Sequence, residues 1–530
     1  MLTLPRRSPG QLLEGAMRRE LAIPLAALVA ACSPPGSSDG SSQSSAQRST
    51  APRQIAETTQ DGLAAFHLAQ SGEGRVAFGS SAVEGGVQVF SDVVFRGDDG
   101  SELRAETLRI AGARETADGS LFDRLEIVDL VGSDGVDEFT VDRILIEDPN
   151  PLFATVIAQA LSDEGVDEDA DWGAFTDYAF RTLAVEGFGA DSDDGAFALE
   201  ALRFSDLSGG VLGGFAFEGL TGSGDADGSQ VSFELGSWTM NGLDLSGADA
   251  FSARDVEDPE DLQAALFESG FNDPFRKHYD DYALEDVRID VDGVMVSLAS
   301  FEGTAQQTRV GVETEDTLDG LVVEFDGKRN LGAQALQMLS FLDYDRIEIN
   351  GHLEQTANQV EDRIVSDEYS ITASDAFALE LDYDFGGVRA YMENVAEQGF
   401  DITADMSPEA MTELLGPLLV HGFELRLVDD SIVERALAAA ATMQGQTPDQ
   451  VREQAIAIMT VGTMMVPPGP VQALAMEAIG ATGDFLTEPG TLRITLSPDE
   501  PVALSDLLAA FESEDYDSAV GLLNIEVAAE

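Results

Sequence analysis

Leu125-Glu126-Ile127-Val128-Asp129-Leu130 is the stretch on which the fold turns. Its order is apolar, any, apolar, any, Asp or Gly, apolar. The order returns as Leu183-Ala184-Val185-Glu186-Gly187-Phe188, Leu202-Arg203-Phe204-Ser205-Asp206-Leu207, Phe215-Ala216-Phe217-Glu218-Gly219-Leu220 and Trp238-Thr239-Met240-Asn241-Gly242-Leu243. In a regular strand the first and third residues share one face and the sixth falls on the other. An extra residue at the Asp or Gly, forming a bulge, returns the sixth to the first face and bends the strand. Asp129, Gly187, Asp206, Gly219 and Gly242 are therefore expected at bulges or strand-bending positions of one sheet. The copies begin at 125, 183, 202, 215 and 238, which gives no constant period. Unequal hairpins of an antiparallel sheet fit that spacing better than the fixed coils of a solenoid.

Outward from these copies, residues 55–387 alternate apolar and polar side chains between Gly and Asp, as half-buried antiparallel strands do. The expected class is mainly β with α: a long curved antiparallel meander with interspersed short helices and a C-terminal helical unit. Short helices are expected at 151–161, 259–269 and 330–341, where apolar residues recur at helical spacing beside Gly, Asp or Pro. After residue 387 the composition shifts, and helices are expected at 388–398, 408–419, 431–443, 448–461 and 471–479. Thr447-Pro448 is a start signal, because Thr caps exposed amides and Pro suits the first helical position. Strands return at 491–496 and 522–527. The organisation expected is a targeting segment at 1–31, a tether at 32–54, the β region at 55–387, a helical unit at 388–487, and strands and a helix rejoining the sheet at 488–530.

Charge narrows the function. With 98 Asp plus Glu against 29 Lys plus Arg, the formal charge is −69. That repels nucleic acid, so nucleic-acid binding is excluded. Lys277 and Lys328 are the only lysines, and every other strong cation is an arginine.

The N-terminal residues read as an address. Met17-Arg18-Arg19-Glu20 is a basic flank, and Met17 competes with Met1 as the initiator. Residues 21–31 are uncharged and mostly aliphatic, too short a run to span a bilayer, and they end in Val29-Ala30-Ala31-Cys32. Those last four residues resemble the lipobox of bacterial lipoproteins. The resemblance implies cleavage after Ala31 and acylation of Cys32, the only cysteine in the chain. Residues 33–53 are rich in Ser, Gly and Pro, a composition that cannot repay the entropy of ordering and serves as a tether. In that family a serine after the modified cysteine, here Ser33, goes with outer-membrane sorting. The expected location is the cell envelope, lipid-anchored and facing the periplasm, with the membrane as one partner. Residues 455–483 carry one charge, Glu477, but Pro467, Pro468 and Pro470 cut them into pieces too short to span. Ile456, Met459, Met464 and Met465 are expected buried there, in helices packed on the sheet. The order of signal, strand-rich body, alanine-rich helices and final Pro489–Leu508 stretch "PGTLRITLSPDEPVALSDLL" is similar to the uncharacterised YdgA-like envelope proteins of Gram-negative bacteria.

No catalytic constellation emerges. His67, His278, His352 and His421 are too far apart for zinc-ligand spacing, and Gly-x-Ser-x-Gly does not occur. Ser223-Gly224-Asp225-Ala226-Asp227-Gly228, with Glu234 twelfth, resembles an EF-hand loop. Ser stands at its first position and Gln230 at its eighth, and strands flank it, so a hairpin turn is expected. The acidic runs 191–195, 163–171 and 290–293 are read the same way. No cofactor, metal, or catalytic residue is expected. The leading expectation is a noncatalytic envelope scaffold that holds an apolar ligand or an envelope protein on its curved sheet. The alternatives are an exported hydrolase of an envelope polymer and a surface adhesin. Because one thiol carries the whole anchor, Cys32→Ala is expected to abolish metabolic fatty-acid labelling and release the protein from membranes. Labelling of the variant at the wild-type level would refute the lipobox reading.

Overall fold

The structure, a computed structural model, describes residues 55–530 apart from 65, 67, 71–74, 98–101, 118, 134–137, 162–173, 193–194, 227–228, 248–272, 292–293, 326–341, 399–407, 464–465, 467 and 514. The protein is mainly β, with antiparallel meanders and a helical C-terminal region. The chain divides into two compact units, one built on Met1–Asn272 and the other on Gly293–Glu530, with the intervening residues shared between them. The helices expected at 259–269 and 330–341 lie outside the described residues.

Eight long strands make the meander of the first unit: β1 (Val87–Arg96), β2 (Glu102–Ala111), β3 (Arg124–Ser133), β4 (Glu138–Glu147), β5 (Phe180–Ser192), β6 (Gly195–Leu207), β7 (Val211–Ala226) and β8 (Ser229–Asp244). Each pairs antiparallel with the next. Each also carries, within the strand or one residue past its end, one left-handed residue. These are Asp92 (φ 54°), Gly112 (68°), Asp129 (51°), Asp148 (49°), Gly187 (65°), Asp206 (54°), Gly219 (65°) and Gly242 (64°). All five positions expected to bend strands are among them. Asp and Gly occupy them because Gly has no Cβ to clash there, and Asp tolerates the conformation better than most residues.

The inserted residue that was expected at these bends is absent. Val128 pairs with Arg143 and Leu130 with Val141, so the register stays in step across Asp129 and only the intervening pair is lost. The partner strand resets at the same place. The left-handed residues of β1, β3, β5 and β7 share one transverse row with Glu106, Asp142 and Glu200, which occupy the facing gaps. Those of β2, β4, β6 and β8 share a second row, six residues away along each strand. Neighbouring strands run oppositely, so one motif read in chain direction falls alternately in the two rows. A register slip of the expected kind occurs in the second unit, where Asp319 and Gly320 together face Asn350 and the Gly320 amide donates to Asn350 Oδ1 at 2.7 Å.

The parity reset itself is as reasoned. Leu125, Ile127 and Leu130 all lie in one core, as do Leu183, Val185 and Phe188. With resets in both rows, core residues step by two and three alternately: Leu103, Ala105, Leu108, Ile110, Ala113 on β2 and just past it, and Phe197, Leu199, Leu202, Phe204, Leu207 on β6. Helix α1 (Pro151–Ala160), within the 151–161 expected, covers part of this inner face. It is capped by Asn150, whose side chain accepts from the Phe153 amide at 3.0 Å, and it buries Phe153, Ala154, Val156, Ile157 and Ala158.

The opposite face carries an ion-pair ladder. Arg109 meets Glu126 at 3.5 Å, Arg143 meets Glu126 at 2.6 Å and Glu186 at 3.2 Å, and Arg203 meets Glu186 at 3.2 Å and Glu218 at 2.7 Å. Arg124 adds a contact to Glu126 at 3.2 Å. The ladder therefore crosses β2 to β7, and on these strands Leu145, Ala184 and Ala201 are buried. Burial disfavours the Glu126 carboxylate, which is only 8 % exposed, but the Arg143 hydrogen bond and the Arg124 and Arg143 charges outweigh it and hold the group below the usual carboxylate range.

The second unit continues as β9 (Val294–Gln307), β10 (Gly311–Phe325), β11 (Arg346–Asn358), β12 (Arg363–Ala373), β13 (Phe377–Gly386), β14 (Leu419–Asp429), β15 (Thr491–Leu496) and β16 (Ile525–Ala529). Strand β14 corrects the uninterrupted helical unit expected at 388–487. Phe423, Leu425 and Leu427 alternate with Glu424 and Arg426 at strand period, and β14 pairs with β13 along its length and with β15. Helices α2 (Val388–Gln398), α3 (Pro408–Leu415), α4 (Ile432–Gln444), α5 (Pro448–Thr463) and α6 (Pro470–Thr487) surround it. The helix expected to reach 419 thus stops at Leu415, and the one expected to stop at 479 runs on to Thr487. Helices α7 (Leu504–Glu512) and α8 (Tyr516–Leu523) precede β16, so the strand expected from 522 begins at Ile525, after Asn524 closes α8 in the left-handed conformation (φ 47°). Val433, Leu437, Ala441, Val451 and Phe485 form a cluster on which Leu427, Leu492 and Ala529 of the sheet are packed. Ile456 and Met459 are half-buried, short of the burial expected, and Met464 and Met465 lie outside the described residues. No helix among the described residues is long and apolar enough to cross a membrane.

Two expectations follow from this architecture. A Cβ at Gly187 would stand 2.1 Å from Asp142 Oδ2 at a φ of +65°, so Gly187→Ala is expected to lose roughly 2 kcal/mol. Asp129→Gly, at the same φ region with a residue freer to adopt it, is expected to change stability by less than about 1 kcal/mol. Equal losses for the two would show that backbone conformation does not govern these sites. Glu126→Gln removes one centre of the ladder and is expected to cost roughly 2 kcal/mol at pH 7. Because the Glu126 pKa is lowered on folding, that contribution is present above the unfolded carboxylate range and disappears as pH falls through the folded value. Urea unfolding followed by fluorescence of the two tryptophans, both in Met1–Asn272, checks this. The gap between wild type and variant should narrow below about pH 4, and a gap that widened on acidification would contradict the assignment.

Candidate ligand-binding cavity

Between the inner face of the first unit and the C-terminal turn of α1 lies a cleft of about 650 Å³ including its open mouth. Its walls are Phe95 of β1, Leu103 of β2, Leu125, Ile127 and Leu130 of β3, and Ile144 and Ile146 of β4, closed above by Ile157, Ala160 and Leu161. The left-handed residues build this wall. Without the reset at Asp129, Leu130 would leave the face that Leu125 and Ile127 share, and β4 resets in step between Val141 and Ile144. Val76, in the short strand Val76–Phe78, pairs with Phe95 and completes the lining together with Arg75 and Arg96.

Those two arginines are neighbours by construction: the Arg96 amide donates to the Arg75 carbonyl at 2.8 Å. Among the described residues they are the polar members of the lining. Arg96 Nε donates to Glu102 Oε1 at 3.2 Å, and Arg104 reaches the other carboxylate oxygen at 3.4 Å. The hydrogen bond from Arg96, then that from Arg104, lowers the Glu102 pKa.

From the cavity the apolar face continues over β5 to β8 in two aromatic series. Phe139, Phe188, Phe197 and Phe233 follow one another with ring centroids 6.4, 5.7 and 6.2 Å apart. Phe204, Phe215 and Trp238 follow at 5.4 and 5.0 Å. Burial falls along the way: Phe188 is in the buried core, Phe204 and Phe215 are partly buried, and Trp238 is 41 % exposed.

The residues singled out from sequence lie elsewhere. Cys32, Ala31 and His67 are outside the described residues. Ser223 to Ala226 belong to β7, where Ala226 pairs with Ser229 of β8, and Asp227 and Gly228 lie outside the described residues. His278 belongs to the first unit and His352 and His421 to the second. His352 does approach carboxylates: its Nε2 is 3.6 Å from Glu354 Oε1, its Nδ1 is 3.2 Å from Thr317 Oγ1, and ligand atoms of Glu315, His352 and Glu354 lie within 4.8 Å of one another. Sequence spacing hid this group because Glu315 comes from β10 and the other two from β11. It sits on two neighbouring strands of the second unit.

The cavity was also beyond sequence reading, since its lining joins six separate segments. The ladder did leave a signal. Four of its charged residues, Glu126, Glu186, Arg203 and Glu218, occupy the second or fourth place of the six-residue motif, and these are the outward places. No curated protein and no solved structure matches the chain. A family model described as "Uncharacterized protein" matches residues 370–530, which takes in the helices and closing strands of the second unit.

Proposed function

We propose that this chain is a noncatalytic, lipid-anchored protein of the cell envelope that holds an apolar molecule in the cleft beneath α1. One observation carries the reading: eleven of the thirteen lining residues are apolar, on a wall whose facing is fixed by strand geometry. The aromatic series leading from β4 toward β8 extends the same apolar path. The Val29-Ala30-Ala31-Cys32 sequence and the Ser/Gly/Pro tether support the anchor and the location. Hydrolysis is the weaker reading. The Thr317, His352 and Glu354 arrangement has the order of a nucleophile, a base and an acid, but Thr317 and Glu354 are exposed on the strand surface.

The test uses residues 33–530, which keep every described residue but carry no lipid. The neutral fluorophore N-phenyl-1-naphthylamine is expected to bind saturably with one site and a blue-shifted emission. Ala160→Phe, which places a ring in the mouth of the cleft, is expected to weaken binding roughly tenfold or more with the far-ultraviolet circular dichroism of the wild type. Absence of binding, or full-strength binding by a correctly folded Ala160→Phe, would reject the cleft as the site.

A further inference from the structure

Glu315 of β10 stands directly opposite Glu354 of β11, and Glu354 directly opposite Glu368 of β12. Three carboxylates thus follow one another across three strands. Like charges set opposite each other in a sheet are destabilising, and elsewhere this protein bridges such groups with arginine. Arg143 stands between Glu126 and Glu186, and Arg426 contacts Glu380, Asp382 and Glu424. Beside Glu315 and Glu354 the basic group is of another kind. Among the described residues it is the His352 imidazole, two residues along β11 from Glu354 and so on the same face. We propose that Glu315, His352 and Glu354 are a site for one zinc ion, held across β10 and β11 by His352 Nε2 and an oxygen of each carboxylate. The site lies in the second unit and does not rest on the cleft.

The imidazole is already oriented for such an ion. Thr317 of β10 is paired with His352, and its Oγ1 lies 3.2 Å from Nδ1. Ligation of Nε2 leaves the ring proton on Nδ1, which then donates to Thr317 Oγ1, the outer-shell hydrogen bond that fixes the ring at metal sites. Nε2 is turned to the carboxylates, 3.6 Å from Glu354 Oε1 and beyond hydrogen-bond reach. One ligand atom from each of the three residues lies within 4.8 Å of the other two. Donors on a shared zinc ion, each about 2.0–2.2 Å from it, stand roughly 3–4 Å apart. Glu315 and Glu354 are exposed, with side-chain rotamers free to close the difference. The donor set selects the metal: an imidazole with carboxylates suits zinc, whereas calcium and magnesium take oxygen ligands. Three protein ligands leave a fourth tetrahedral position to water. A dication held there neutralises the facing pair and ties β10 to β11.

Calorimetric titration of the full chain, stripped with a chelator and kept in excess magnesium, tests the site. Zinc is expected to fill one site that magnesium does not compete away. Thr317→Val, which keeps every ligand and removes the Nδ1 partner, is expected to weaken zinc binding roughly tenfold. His352→Ala and Glu315→Gln are expected to weaken it further, and His421→Ala to leave it unchanged. Far-ultraviolet circular dichroism establishes that each variant is folded. Should His352→Ala fail that check, Glu315→Gln, which changes an exposed side chain without changing its size, decides the matter. Zinc binding abolished by magnesium, or wild-type affinity in a folded His352→Ala or Glu315→Gln, would overturn the site.

Discussion

One backbone constraint organises the first unit: each of its long strands passes through the left-handed region once, at an Asp or a Gly. A β-strand alternates faces with a period of two, and a single residue at positive φ, met by a gap in the neighbouring strand, makes the next side chain repeat the face. If only one strand did this, its inner residues would oppose its neighbour's outer ones. The resets are therefore shared across the sheet, in two rows, and the residues facing the left-handed positions lose their ladder pair as well. Everything else about the unit inherits its facing from those rows. The two-and-three stepping of the core, the wall beneath α1 and the exposure of the charged ladder all follow.

The outer face shows how so acidic a chain spends its few cations. Arg109, Arg124, Arg143 and Arg203 neutralise the carboxylates that would otherwise crowd β3, β5 and β7. In the neighbouring row, Asp92, Glu106, Asp129 and Asp142 follow one another across four strands with less compensation. The consequence appears at Glu106. A hydrogen bond with Asp129 and the negative charge of that residue raise its pKa, and the Arg109 charge offsets this only in part. Asp at these places is a local backbone solution that carries an electrostatic cost, and Gly at the equivalent places of β5 and β7 avoids it.

Much of the fold could be read from the chain because the constraint is local. A positive φ in a strand calls for Asp or Gly, and the apolar pair before it and single residue after it make a six-residue signature. Reading five copies missed three for identifiable reasons. At Asp92 the first apolar place holds Gln88, at Asp148 the last holds Pro149, and the Leu108-Arg109-Ile110-Ala111-Gly112-Ala113 copy ends in a small alanine. The expected insertion was wrong because the sequence of one strand says nothing about whether its neighbour adds a residue or gives up a pair. Strand β14 escaped because helices stand on both sides of it in sequence, and its strand character depends on pairing with β13 and β15. The cleft was illegible for a related reason. Arg75 and Arg96 are separated by a hairpin, and only the pairing of Val76 with Phe95 makes them neighbours.

The same rows explain why the cleft forms where it does. A strand with regular alternation offers one inner residue in two, evenly spaced, and a helix laid across such a surface meets a uniform ridge. Here the inner residues come in close pairs separated by wider steps: Leu125 and Ile127 then Leu130 on β3, Ile144 and Ile146 after Val141 on β4. Helix α1 is inserted between β4 and β5 and pinned at its start by Asn150. Its first turns fill the inner face with Phe153, which packs against Phe180 at 5.3 Å and Tyr178 at 6.0 Å. Toward its end Ile157, Ala160 and Leu161 close the cleft over strands whose paired residues stand apart across the wider step. The wall they face is apolar because the rows keep Leu125, Ile127, Leu130, Ile144 and Ile146 together on the inner face.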